Sequence, residues 1–165
     1  MPKIYENEIV YNVDTLSRTM DTETGVIRTE RIIGVQQGAP KWITKQLFNL
    51  PETAYVREVV FSDPEGADGP SATCMSMNLN LAQYVSCLEY ITYTPYPSGQ
   101  GAEAPATLFR QRALMLSQFP TAMIARRIER ASVERFSSNA GIGRKGFDWV
   151  LETGWKRKLV CTFRN

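Results

Sequence analysis

Histidine is absent from the 165-residue chain. Its absence excludes Ser-His-Asp and Cys-His nucleophiles, acid-base steps centred on imidazole, and His-ligated zinc. Cysteine is scarce. Cys74, Cys87 and Cys161 are widely spaced and odd in number, so they form neither a disulfide framework nor a Cys-x-x-Cys knuckle. Cys74 and Cys87 read as small buried hydrophobes, and neither a metal site nor a cofactor is expected. There is no excess of one charge: 19 basic side chains face 17 acidic ones for a net +2. A nucleic-acid surface is therefore not expected, and any anion must be bound by a few placed donors.

Long apolar runs are missing too. The longest are a few residues each, short of the ~20 needed to cross a bilayer, so the chain is expected to be soluble or peripherally attached. Residues 1–8 have neither the apolar core of a signal peptide nor the Arg- and Ser-rich character of a transit peptide, and no cleavable address is expected in them. The length, with 43% hydrophobic and 22% charged residues, fits one globular domain.

What is present reads as a meander. Ile9 to Val13 and Val26 to Gln36 are β-rich runs separated by the polar stretch Asp21 to Gly25, which suits a hairpin loop. Residues 41–48, rich in Trp42, Ile43, Leu47 and Phe48, predict a short amphipathic helix. Strands are predicted at Tyr55 to Phe61, Thr73 to Asn80, Val85 to Tyr93 and Thr107 to Leu116, about six in all. The loops between them carry Pro64, Gly66, Gly69 and Pro70, and Pro95, Pro97, Gly99 and Gly101. In the fourth strand Met75, Met77 and Leu79 share one face and Cys74, Ser76 and Asn78 the other. The Met face reads as core, or as the wall of an adaptable apolar cavity. Beyond Pro120 the apolar period shifts to three and four through Ile124, Ile128 and Phe136, predicting a long helix with a kink or brief break at Gly141 and Gly143. The fold class is α+β: a curved antiparallel sheet with a short helix and one long C-terminal helix across it.

Catalytic chemistry finds little support. Asp14, Glu58 and Glu89 fall on different strands without a recognisable acid-base partner, and no serine has a base. The stretch from Gly141 to Gly146 follows a helix rather than a strand, so neither a dinucleotide loop nor a P-loop fits. The chain is not expected to be an enzyme, and a carboxylate enzyme using Glu58 or Glu89 is the weakest reading. Arg135, Asn139, Arg144 and Lys145 offer two to four donors near one point for an anion; the alternative is a solvated helix end whose cations suit the helix dipole. Trp42 either packs on the sheet, which composition favours, or projects to a membrane interface.

Six motifs then stand in one order: Asp14-Thr15-Leu16-Ser17-Arg18, Thr29-Glu30-Arg31-Ile32-Ile33, Pro40-Lys41-Trp42-Ile43, Val56-Arg57-Glu58-Val59, Thr92-Tyr93-Thr94-Pro95 and Arg135-Phe136-Ser137-Ser138-Asn139. In order and spacing they resemble the PRELI/Slowmo family, most closely its Slowmo-type, phosphatidylserine-carrying branch, from about Val10 to Trp155. The resemblance implies a curved sheet and helices around a lipid pocket in residues 1–155, with 156–165 as a tail. It implies shuttling of phosphatidylserine, or less readily phosphatidic acid, between the outer and inner mitochondrial membranes. It also implies the intermembrane space as location, peripheral membrane contact, and a small helical-hairpin partner with twin Cys-x9-Cys motifs.

Carried over by position, Pro40, Lys41 and Trp42 resemble the lid over the pocket mouth. Arg135 and Asn139 match headgroup-facing positions of the long helix, with Lys145 nearby. Arg31 and Asn78 match strand positions for which a pocket role and a structural role are both open. Where relatives often carry basic residues this chain has Val35, Gly38 and Ile142, and where they carry tryptophan it has Ala131, so a less cationic pocket is expected. The family's opening strand and first helix find no counterpart ahead of Val10; the domain is expected to be N-terminally incomplete, with weak transfer by this chain alone. The competing reading is a module of the same fold that binds another hydrophobic ligand, or regulates through its partner without carrying lipid.

Overall fold

Runs of β-branched and aromatic residues, cut by turns most of which are rich in glycine, proline and short polar residues, favour strands paired with their sequence neighbours. The computed structural model describes residues 10–36, 53–96 and 106–154. It contains β1 (Val10–Met20), β2 (Ile27–Gln36), β3 (Thr53–Asp63), β4 (Ser71–Asn78), β5 (Val85–Pro95) and β6 (Thr107–Ser117). They form one curved antiparallel sheet in chain order. Helix α1 (Ala122–Trp149) follows and runs into a π-helical turn, Val150–Gly154. The expected α+β class and meander are observed. The short helix expected at 41–48, with Pro40, Lys41 and Trp42, lies outside the described residues, as does Cys161.

The hairpin between β1 and β2 closes where Gly25 takes φ of +72° and donates to the Asp21 carbonyl at 2.8 Å. The Asp21 carboxylate accepts from the Glu23 and Thr24 backbone N–H groups, and the Thr24 and Glu23 bonds hold it below the usual carboxylate range. In β1 the pairing slips between Val10 and Asn12 and again between Thr15 and Ser17. Tyr11 and Leu16 are thus the extra residues of two bulges, which bend the strand.

Two expectations are corrected. Helix α1 passes through Gly141 without a break. A helical glycine costs roughly 1 kcal/mol relative to alanine but keeps its backbone hydrogen bond, and this cost alone does not interrupt 28 residues of helix. The wider winding comes later, at Val150–Gly154. The second correction concerns β4. Cys74 and Ser76 are buried, whereas Met75, Met77 and Leu79 are exposed. The side chains alternate as expected, but the opposite side is covered, because that side is set by where α1 lies.

Helix α1 meets the sheet through β6 and β5. Tyr93 on β5 stacks on Phe147, with ring centroids 5.9 Å apart, and leans against Phe109 on β6 at 5.3 Å. Near the start of the helix, Glu129 accepts from the Ser117 backbone N–H at 3.0 Å, and Ile128 is the most deeply buried large side chain, at 2% exposure. The side of the sheet carrying Tyr93 is its inner face. By register this face presents Ile33, Val56, Val60, Cys74, Ile91 and Met115.

Candidate functional site

A polar row crosses that largely apolar inner face. The register sets Thr15, Arg31, Glu58, Ser76 and Glu89 side by side on β1 to β5, and Ala113 continues the line on β6. Each interrupts a strand whose other inward positions are mostly apolar, and the row exists because alternation brings one polar position per strand to the same level.

Within the row, Arg31 donates from Nε to Glu58 at 2.7 Å and from Nη2 to the same oxygen. Ser76 donates its hydroxyl to Glu89 Oε2 at 3.1 Å, and Gln111 on β6 donates its amide to Glu89 Oε1. Glu58 is thus neutralised by Arg31, whereas no Lys or Arg among the described residues pairs with Glu89. The Cys74 thiol sits beside the row. Burial, the Glu58 charge and a hydrogen bond with Glu58 push it up to about 12, so it stays protonated and unreactive near neutrality. Burial and then the Glu89 charge raise Cys87 in the same direction. This arrangement has no activated nucleophile. Among the described residues no three Cys, Asp or Glu side chains are grouped to hold a metal, and no helix is long and apolar enough to cross a membrane.

The expected site residues are placed differently from one another. Arg31 lies in the row. Asn78 lies at the end of β4 with its amide engaged by backbone: it donates to the Asn80 carbonyl at 3.1 Å and the Val85 carbonyl at 2.9 Å, and accepts from the Cys87 N–H at 2.7 Å. Asn80 makes a similar clamp to β3, donating to the Thr53 carbonyl and accepting from the Tyr55 N–H, both at 2.8 Å. Together they hold a turn in which buried Leu81 adopts φ of 67°, a left-handed conformation costing roughly 1–2 kcal/mol for a side-chain-bearing residue.

On α1, Arg135 and Asn139 fall within about 20° of Ile128 around the helix axis, on the arc turned toward the sheet. Asn139 is half-buried. Arg135, between the Ile128 and Phe147 anchor points, is exposed and makes no ion pair among the described residues. Because the helix is continuous, Lys145 lies about 120° around from Asn139 and Arg144 about 140°. The break that would let all four donors converge is absent, and Arg144 and Lys145 are exposed on other faces.

Ser76, Glu89 and Gln111 were not singled out as a group by sequence reasoning. Their signal was a polar residue at an inward position on each of three neighbouring strands, visible only once the register is known.

The outer face is different. There Arg28 and Arg57 clasp Glu30, with contacts of 2.6 Å each, and hydrogen bonds from Arg28 and then Arg57 lower the Glu30 carboxyl. Next to this cluster lie Met75 beside Tyr90, and Met77 beside Leu88, which in turn faces Leu114. All five are exposed, Met77 at 46% and Leu114 at 54%. Contiguous exposed apolar patches are what interaction surfaces commonly present.

Residues 2–158 match the PRELI-like family. The chain is 37% identical to Protein UPS2, mitochondrial, of Saccharomyces cerevisiae over 163 residues, covering 95% of this chain and 68% of that protein. It is 34% identical over 143 residues to UPS-like protein C36.10 of Schizosaccharomyces pombe, 87% of this chain and 72% of the relative. It is 29% identical over 140 residues to the protein slowmo homolog of Dictyostelium discoideum, 85% of this chain and 57% of the relative.

Proposed function

The chain belongs to the PRELI-like family, and from that premise we propose that it is a mitochondrial lipid-transfer protein that carries phosphatidylserine between the outer and inner membranes, across the intermembrane space. The observation that carries this reading is the inner face: apolar strands crossed by a polar row, under a helix anchored mainly through β6. Acyl chains lie against Ile33, Val56 and Ile91, and the headgroup meets polar side chains of the row and of α1. Keeping two acyl chains out of water matters because apolar surface costs ~25 cal/mol per Å² when exposed. No bond is made or broken.

Arg135 and Asn139 hold the headgroup phosphate on the sheet-facing arc of α1, with Arg31 in the row on the sheet and Lys145 contributing at long range. Pro40, Lys41 and Trp42 form the lid, and Lys41 steers it to an anionic membrane surface, so docking weakens as salt rises. Asn78 holds the β4–β5 turn in shape. A small helical-hairpin protein with twin Cys-x9-Cys motifs covers the outer apolar patch, which suits the apolar side of such a hairpin.

The test is transfer of labelled phosphatidylserine between liposomes by the purified chain with its partner, together with mass spectrometry of lipid co-purified with it. Bound phosphatidylserine and partner-dependent transfer are expected. A protein that binds its partner but carries no phospholipid would instead be a regulatory module of the same fold.

A further inference from the structure

We propose that Glu89, held by Ser76 and Gln111, is a seat for the primary ammonium of the cargo headgroup and sets the preference for aminated phospholipids. This rests on the carrier reading above and goes beyond it in assigning a residue to headgroup choice.

The row contains two carboxylates and one described cation. Arg31 and Glu58 satisfy each other, which leaves Glu89 half-buried and without a described cationic partner. Its two donors, the Ser76 hydroxyl and the Gln111 amide, are neutral and approach one oxygen each. A carboxylate has about four acceptor positions, so each oxygen keeps one open. Two neutral donors fix the orientation of the group without cancelling its charge. A half-buried carboxylate whose two donors are both neutral gains from a cation, and a ligand ammonium supplies one.

Space points the same way. Opposite Glu89 on β6 stands Ala113, an exposed residue with only a methyl group on the inner face. A longer side chain there would cover the carboxylate; alanine leaves it approachable from the side on which α1 lies. An ammonium has three donors and accepts none, matching an acceptor-only site. Phosphatidylserine and phosphatidylethanolamine carry that group. Phosphatidic acid and phosphatidylglycerol do not, so for them nothing offsets the repulsion between Glu89 and the phosphate that all four share.

The experiment is competitive loading of the partner-bound chain from liposomes holding equal phosphatidylserine, phosphatidylethanolamine, phosphatidic acid and phosphatidylglycerol, read by mass spectrometry of the protein-bound lipid. The unaltered protein is expected to enrich both amino lipids. Glu89→Gln is expected to lower the ratio of amino lipids to phosphatidic acid about tenfold, the loss of one charge-assisted hydrogen bond, while total lipid bound changes less. Glu89→Asp is expected to keep part of the preference. Because Glu89→Gln also changes the bond to Gln111, Ala113→Leu serves as a second variant that leaves every charge in place; it is expected to disfavour the amino lipids selectively. An unchanged ratio in both Glu89→Gln and Ala113→Leu, with lipid still bound, overturns the seat and leaves the carrier reading intact. No phospholipid on the unaltered protein overturns the carrier reading, and the seat with it.

Discussion

Tyr93 and Phe147 join the sheet to the far end of α1, their rings stacked at 5.9 Å with planes inclined by 30°. Ile128 and the Glu129 contact to Ser117 anchor the other end. Phe147→Ala is expected to lower stability by about 2 kcal/mol, for half-burial of a ring plus one aromatic pair. Ile128→Ala is expected to cost about 3 kcal/mol as a core truncation. Urea titrations followed by far-ultraviolet dichroism would check both; equal losses would show that the two anchors are equally packed.

Asn78 discriminates a structural from a pocket role. Its substitution by alanine strands the Cys87 N–H and two carbonyls, at a cost of about 2–3 kcal/mol. A lowered melting temperature with unchanged composition of bound lipid is expected, and a changed composition at unchanged stability would return Asn78 to the pocket.

The thiol at Cys74 makes a prediction about alkali. Its folded-state value is pushed up to about 12 from the ordinary 9.0. The unfolded chain therefore gives up the proton first, and stability falls as pH rises from about 9 toward about 12. Cys87 and Tyr93, both raised chiefly by burial, act in the same direction. Melting temperatures measured across that range should fall less steeply for Cys74→Ala, and alkylation of the folded protein at neutral pH should spare Cys74.

On the outer face, Met77→Asp and Leu88→Glu place charge in an apolar patch that solvent already reaches. Little change in the stability of the isolated chain is expected, within about 0.5 kcal/mol, with at least tenfold weaker binding of the proposed helical-hairpin partner. Calorimetric titration with that partner would measure it, and full-strength binding by both variants would move the interface elsewhere.

For the proposed lid, Trp42→Ala is expected to slow liposome-to-liposome transfer more than it lowers thermal stability. Comparable loss of stability with unaltered transfer would make Trp42 an ordinary packing residue.

Much of this arrangement was legible in the order of residues. Polar turns such as Asp21 to Gly25 separate runs long enough to pair with their neighbours, and the change of period at Ile124 and Ile128 announces the helix. Which side of β4 faces inward was not legible, because Met75 and Cys74 are both apolar and only the seat of α1 decides between them. Gly141 and Gly143 do not break the helix, since a continuous backbone ladder outlasts a small loss of propensity. Arg135 and Asn139 stood out through a motif. Glu89 did not, because its meaning depends on Ser76 and Gln111, which come alongside it only across two strand pairings.

The bulge at Leu16 bears on how this strand tolerates evolution. Thr15 faces Arg31 and Ser17 faces Glu30, so Leu16 is a residue the ladder does not count. Its deletion would restore regular pairing and leave every other β1 side chain on its own side. Deleting a paired neighbour such as Val13 would turn one arm of the strand inside out. A one-residue gap is thus tolerable at this point of the strand and costly a few positions away.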